Sequence, residues 1–385
     1  MNIRFNGERL KKARIYRGLT VAELAEKVHQ QRQTLSMYEI NKSQPSQKQI
    51  EMIASILNFP KKFFYEKSEN SPIGTVYFRS LLTTNKKYRS EQTIKMEFLS
   101  QIYNFLQEYI EFPLCDLPDF PAKVTPAQAA RMLRKKWNLG LEPIDNLITV
   151  VEQHGILVTS FSTNTNDIDA FSERIISEGV PRFLIAYSNN KTSAARIHFD
   201  VAHELGHICL HEWNEDIEDL SKEEFRQYEY EANDFAAEFL LPSETFVADA
   251  ESCRTSLINY KRIKRKWKVS IAAMVRRSKE LGILSSNEYQ MIIRTMQKRG
   301  QRKNEPLDDV LITSSPALLK TAVIMLLQEN VFTPNEFMSE LSSYYNLSIN
   351  AEEIEYLLDL PKYTLAKNNI IDFSKELQLK REYDI

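Results

Sequence analysis

Residues 196–211 read RIHFDVAHELGHICLH and hold four of the six histidines in the chain. Inside this run His203, Glu204 and His207 form an H-E-x-x-H pattern. On a helix, positions i and i+4 lie one turn apart on one face. Both imidazoles can therefore aim a nitrogen at a single cation, at roughly 2.0–2.1 Å for zinc. Glu204 is placed to take the proton of a water activated by that ion, and zinc brings the pKa of such a water towards about 7. One Zn2+ ion is the expected cofactor. Catalytic zinc commonly has three protein ligands and one open position. His211 stands a further turn along, roughly 6 Å past His207, and reaches such an ion poorly. It is read as a helix-end residue or substrate contact, and His198 as structural. The stretch YEYEANDFAAEFLLP offers a carboxylate from a second helix: Glu229, with Glu231 in reserve on another side. Asn233, four residues after Glu229, is placed to orient a ligand histidine.

Elements must hold these groups. TPAQAARMLRKKWNLG and PIDNLITVVEQHG read as amphipathic helices ending at Gly140 and Gly155. ILVTSF and PRFLIAYS read as strands followed by turn-rich segments. Helices are expected at about 194–212 and 223–240, the second stopped by Pro242. A substrate backbone is expected beside the strand at 182–187 by strand addition, with Tyr228, Tyr230 and His198 as candidate oxyanion donors.

FDVAHELGHICLH followed by EYEANDFAAEFLLP resembles the ImmA/IrrE family of bacterial and phage metallopeptidases, over roughly residues 122–245. The resemblance implies zinc on His203, His207 and Glu229, and Glu204 as catalytic residue. It also implies a gluzincin-like endopeptidase that cleaves a transcriptional repressor in a stress or phage-induction circuit.

The first sixty residues are of another kind. Thr20 and Glu23 make a capping box ahead of the apolar stripe Val21, Leu24, Ala25 and Val28. LTVAELAEKV and RQTLSMYEINKSQPS resemble the two central helices of an Xre/Cro-type helix-turn-helix. Two positions depart from that pattern: Val21 stands where Gln is common, and His29 where a turn glycine is common, which calls for positive φ. Gln31, Arg32, Gln33, Thr34 and Ser36 lie at the exposed start of the recognition helix, where side chains meet base edges. Lys42, with Arg9, Lys11 and Lys12, is assigned to phosphates. The expected partners are a double-stranded DNA operator, bound by a homodimer, and a protein substrate.

At 385 residues the chain is long enough for two to four domains. No apolar run approaches the eighteen or so residues of a membrane span, and three scattered cysteines suit a reducing compartment. The expected location is cytoplasmic. A net charge of −2 hides strong local bias: residues 254–303 carry 15 Lys/Arg against 2 Asp/Glu, and 211–231 carry 2 against 9. The basic block is read as a small helical core of Ile263, Trp267, Val269, Ile271, Ala272 and Met274 inside a solvated shell. A second phosphate-binding surface, or a dock for the acidic 211–231 segment, are the alternatives.

The expected fold is mainly α with a small α+β domain: an N-terminal helix-turn-helix bundle, a zincin-like metallopeptidase domain with a short sheet, and helical C-terminal modules. The boundaries are 1–66, a linker and helix at 67–120, the peptidase domain at 121–250, a basic module at 251–304 and a helical module at 305–385. A regulator whose zinc domain senses a ligand or partner without proteolysis is the alternative function.

Overall fold

A computed structural model describes residues 4–67, 76–78, 86–162, 169–177, 179–190, 193–213 and 220–366. The chain opens with α1 (Gly7–Tyr16), α2 (Val21–Lys27), α3 (Arg32–Glu39) and α4 (Gln47–Leu57), closed by a 3-10 turn at Lys61–Tyr65. Thr20 and Glu23 form the expected capping box at α2, and Ser46 with Gln49 forms another at α4. Each satisfies backbone N–H groups that a helix start leaves without intrahelical partners. His29 takes the left-handed conformation, φ 51°, at the turn between α2 and α3. Inside the bundle, Arg14 pairs with Glu39 at 2.5 Å, tying α1 to the recognition helix α3.

A strand β1 (Val76–Phe78) and a long helix α5 (Lys86–Gln107) follow. Expected as part of a connecting region, α5 is instead a largely buried core helix. Met96, Phe98, Leu99 and Ile102 are all fully buried, and Phe98 stacks on Tyr16 of α1 at 5.2 Å. Next come α6 (Pro126–Lys136), α7 (Leu147–Gln153), β2 (Leu157–Phe161), β3 (Ala170–Ser177) and β4 (Val180–Ser188). Two helices, α8 (Ala194–Leu210) and α9 (Lys222–Leu240), then cross one another. They lead into α10 (Ser243–Cys253), α11 (Leu257–Trp267), α12 (Ile271–Glu280) and α13 (Ser286–Lys298). The chain continues through α14 (Leu318–Gln328), α15 (Pro334–Tyr344) and α16 (Ala351–Leu357).

The four strands form one mixed sheet in the order β1-β3-β4-β2, with β2 parallel to β4 and the other pairs antiparallel. This corrects the expectation of strand addition at 182–187. Residues 184–187 of β4 are paired on both sides and have no free edge to offer, while Arg182 and Phe183 pair with β3 alone. Among the described residues, the sheet's outer strands are β1 and β2.

Side chains along a strand alternate between faces, and here the two faces feed two different cores. Val158, Ala170, Ile185 and Tyr187 join α6–α13. Leu157, Phe161, Phe171, Ile175, Leu184 and Ala186 join α5, the helix-turn-helix and α14–α16. The sheet is thus the shared wall between them. The boundary drawn at 250 passes through the first core, because Tyr260, Ile263, Trp267 and Met274 pack with Phe235, Phe239 and Phe246. The apolar residues of the basic block are therefore not a small core of their own. Of its charges, Lys264 is buried against Glu305 (2.9 Å) and Asp308 (2.6 Å), and Arg277 is buried against Glu238. Docking of the acidic segment on this block falls partly on residues 214–219, outside the described ones.

The second core unites the two ends of the sequence. Arg9 donates to the carbonyl of Asn346 at 2.7 Å, Arg17 pairs with Glu353, and Asn350 donates to Asn58 Oδ1 at 2.9 Å. The N-terminal bundle of α1–α4 is consequently clamped between α5 and α14–α16.

On that side of the sheet, Glu173 is buried opposite Glu97 of α5, which pairs with Lys12 of α1. Desolvation, reinforced by the Glu97 charge, pushes the Glu173 carboxyl up to about 8. A carboxyl raised in the fold binds its proton more tightly there than in the unfolded chain. Its ionisation therefore weakens the fold as pH rises from about 4.5 to 8. Glu173→Gln should match wild type near pH 4 and gain on it across that window, by up to about 5 kcal/mol at pH 8.5. Chemical denaturation at pH 4.5, 6.5 and 8.5 measures this, and a pH-independent difference would refute it.

Candidate metal centre

Helix α8 carries the H-E-x-x-H residues in its buried middle. His203 and Glu204 are fully buried and His207 nearly so. Gly206, on the same helix, brings α9 close. A Cβ built at Gly206 would lie 3.1 Å from Ala232 Cα and 3.2 Å from Phe235. That approach carries Glu229, three residues before Ala232, onto the two imidazoles. Glu229 Oε2 lies 3.6 Å from His203 Nε2, its Oε1 lies 3.4 Å from His207 Nε2, and the two Nε2 atoms are 3.0 Å apart. Ligands at about 2.0–2.1 Å from a tetrahedral zinc lie roughly 3.3 Å from one another. The donor set, two imidazole nitrogens and one carboxylate oxygen, therefore fits zinc in both chemistry and spacing.

Burial pushes the Glu229 carboxyl up, but the adjacent imidazoles of His203 and His207 prevail and hold it down at about 2. It stands as an anion, the form in which it can serve as an oxygen donor. The reserve candidate, Glu231, points elsewhere: its Oε2 lies 3.1 Å from His211 Nε2. Asn233 also departs from expectation. Its amide donates to the Glu229 carbonyl at 2.6 Å, closing onto its own helix one turn back and not onto a histidine.

Two neighbours of the site were not visible in the sequence. Ser172 of β3 donates its hydroxyl to Glu204 Oε2 at 2.6 Å, fixing that carboxylate against the sheet. His211 does not stand apart: its Nδ1 lies 2.9 Å from His207 Nδ1, and its ring stacks on Tyr228 at 4.0 Å. Burial pulls the His211 imidazole down from its ordinary value. Of the suggested oxyanion donors, Tyr228 is thus engaged with His211 and Tyr230 is 59% exposed. His198 bonds Thr313 at 2.9 Å, the structural role expected of it.

The family model for the IrrE N-terminal-like domain of M78-type peptidases matches residues 151–279, and that for the helix-turn-helix matches 10–64. The chain joins a helix-turn-helix to an ImmA/IrrE-type domain. The match to the IrrE-type domain runs beyond residue 250 and takes in α11 and most of α12, in line with the core they share with α8 and α9. A search of curated proteins finds no match to the chain. No helix among the described residues is long and apolar enough to cross a membrane.

In the helix-turn-helix, Gln31, Arg32, Gln33 and Lys42 are exposed, with Thr34 and Ser36 half-buried. Gln31 is the N-cap residue of α3 yet makes no side-chain capping bond, so its amide is not committed to the helix. The clamp by α5 and α14–α16 leaves these side chains accessible.

Proposed function

We propose that the protein is a DNA-binding transcriptional regulator whose IrrE-type domain is a zinc-dependent endopeptidase acting on a regulatory protein such as a repressor. The observation that carries this reading is the convergence of His203, His207 and Glu229 beside the buried Glu204.

His203, His207 and Glu229 would hold the ion. A zinc there supplies Lewis acidity towards a peptide carbonyl and a lowered pKa for a water. Glu204 takes the proton from the attacking water on its carboxylate and delivers it to the departing amine nitrogen. The Ser172 hydroxyl, bonded to Oε2, restricts the orientation of that carboxylate. Gly206 and Ala232 keep α9 close enough for Glu229 to complete the ligand set. The deciding experiment is metal analysis of the purified protein, with comparative proteomics of cells carrying wild type or Glu204→Ala. Zinc at one per chain, and a protein that disappears only with wild type, is the expected result. A metal-loaded wild type with no altered protein, and a Glu204→Ala variant that regulates normally, would favour a non-proteolytic sensor.

On DNA, Gln31, Arg32, Gln33, Thr34 and Ser36 would face base edges, and Lys42 a phosphate. Arg32→Ala should cost about 1–3 kcal/mol on the preferred operator and relax its sequence preference. Lys42→Ala should weaken all sequences alike and flatten the plot of log K against log salt by about 0.9. Equilibrium binding over a salt series separates the two, and identical effects from both variants would contradict the assignment. Two-fold copies on a palindromic site are the expected arrangement, and a monomer on and off DNA by hydrodynamics would exclude it.

A further inference from the structure

We propose that Glu231 and His211 form an ordered hydrogen-bond chain that sets the tautomer of His207, leaving its Nε2 lone pair directed at the metal. The inference rests on the zinc reading above and adds two positioning residues to it.

The order follows from what each group can do. An ionised carboxylate only accepts hydrogen bonds. Glu231 Oε2 lies 3.1 Å from His211 Nε2, so that nitrogen carries the hydrogen. A neutral imidazole has one N–H and one lone pair, so His211 Nδ1 is then an acceptor. It lies 2.9 Å from His207 Nδ1, which must therefore donate. His207 is left with its lone pair on Nε2, the nitrogen 3.4 Å from Glu229 and 3.0 Å from His203 Nε2. A neutral histidine side chain in water favours the opposite arrangement, with the proton on Nε2, which would block the ligand position.

The surroundings hold the chain in place. Gln227 donates to the other oxygen of Glu231 at 2.7 Å, and Tyr228 lies flat on the His211 ring at 8°. Helix α8 ends at Leu210, and the His211 backbone turns to an extended conformation, φ −112° and ψ 148°. Its ring thereby folds back onto the last turn and meets Nδ1 of His207. Direct carboxylate or carbonyl partners usually orient metal-bound histidines; here a second imidazole is interposed between carboxylate and ligand.

Zinc titration against a competing chelator on the full-length protein tests the chain with a readout independent of hydrolysis. His211→Leu should weaken zinc binding by about 10–100-fold. His211→Gln should stay within about threefold of wild type, because its amide can donate to Glu231 and accept from His207. Leucine without effect, or glutamine as damaging as leucine, would overturn the proposal. Imidazole 15N spectra of wild type decide it without any substitution. His207 protonated on Nδ1 and His211 on Nε2 is the expected pattern, and the reverse on either ring refutes the chain. A wild type that binds no zinc yet shows this pattern would sink the metal site and leave the hydrogen-bond order standing.

Discussion

Glu204→Gln is expected to lower peptide-bond hydrolysis by about 10²–10⁴-fold while leaving zinc affinity within about twofold of wild type. The substitution keeps the size of the side chain and an oxygen for the Ser172 hydroxyl at 2.6 Å, so the buried packing survives. What it removes is the carboxylate oxygen that, in the proposed reaction, takes the proton of the attacking water. Glu204 lies outside the His203, His207 and Glu229 triangle, which explains why binding and turnover should part company. Chelator-competition affinity and single-turnover cleavage, measured on one preparation, give both numbers. Equal loss of both would make Glu204 a ligand or a folding residue and remove it from the chemistry.

Gly206→Val has the second large effect, and it acts at a distance from the donor atoms. At this position a single added Cβ already meets the Ala232 backbone at 3.1 Å. Two further methyls leave α9 no option but to move, and overpacking of this kind costs about 1–3 kcal/mol. Glu229 travels with α9, and a displacement near 1 Å at a catalytic constellation can cost about 10²-fold. Zinc affinity should fall by about 10²-fold, and thermal stability should fall with it. Gly206→Ala makes a graded control, since the helix gains about 1 kcal/mol from losing glycine and this opposes the milder contact. A valine variant with wild-type zinc affinity would show that the approach of the two helices does not set the ligand triangle.

These residues were legible because their signal is local. Two histidines four apart follow from helical periodicity, while Glu229 is favoured over Glu231 through its spacing from Asn233 and the family resemblance. The helix-turn-helix was legible for the same reason, down to the positive φ at His29. What the sequence concealed depends on long-range packing. Strand β3 was missed because AFSERIIS places Ser172 and Glu173 at fully buried positions, where the alternation rule expects apolar residues. One of them bonds Glu204 and the other faces Glu97 of α5. Helix α5 was read as part of a linker region, and its Glu91, Gln92, Lys95, Glu97 and Gln101 resemble a solvated face, yet all five are buried. Strand order is likewise invisible in a one-dimensional pattern, and β4 reads the same at an edge or between neighbours. His211 was set aside by assuming a straight helix, whereas the helix stops one residue earlier and turns the ring back.

The clamp on the DNA-binding head has a consequence for how the protein comes into being. Tyr16 bonds Glu353 at 3.1 Å, and Arg17 reaches the same carboxylate, across more than three hundred residues of chain. During synthesis at about 5–20 residues per second, such a partner leaves the ribosome tens of seconds after the head itself. Through that interval the apolar flank that later meets α14–α16 is bare. The nascent head must wait for the far end of its own polypeptide, and a stalled or truncated product would release DNA-binding heads with a sticky side.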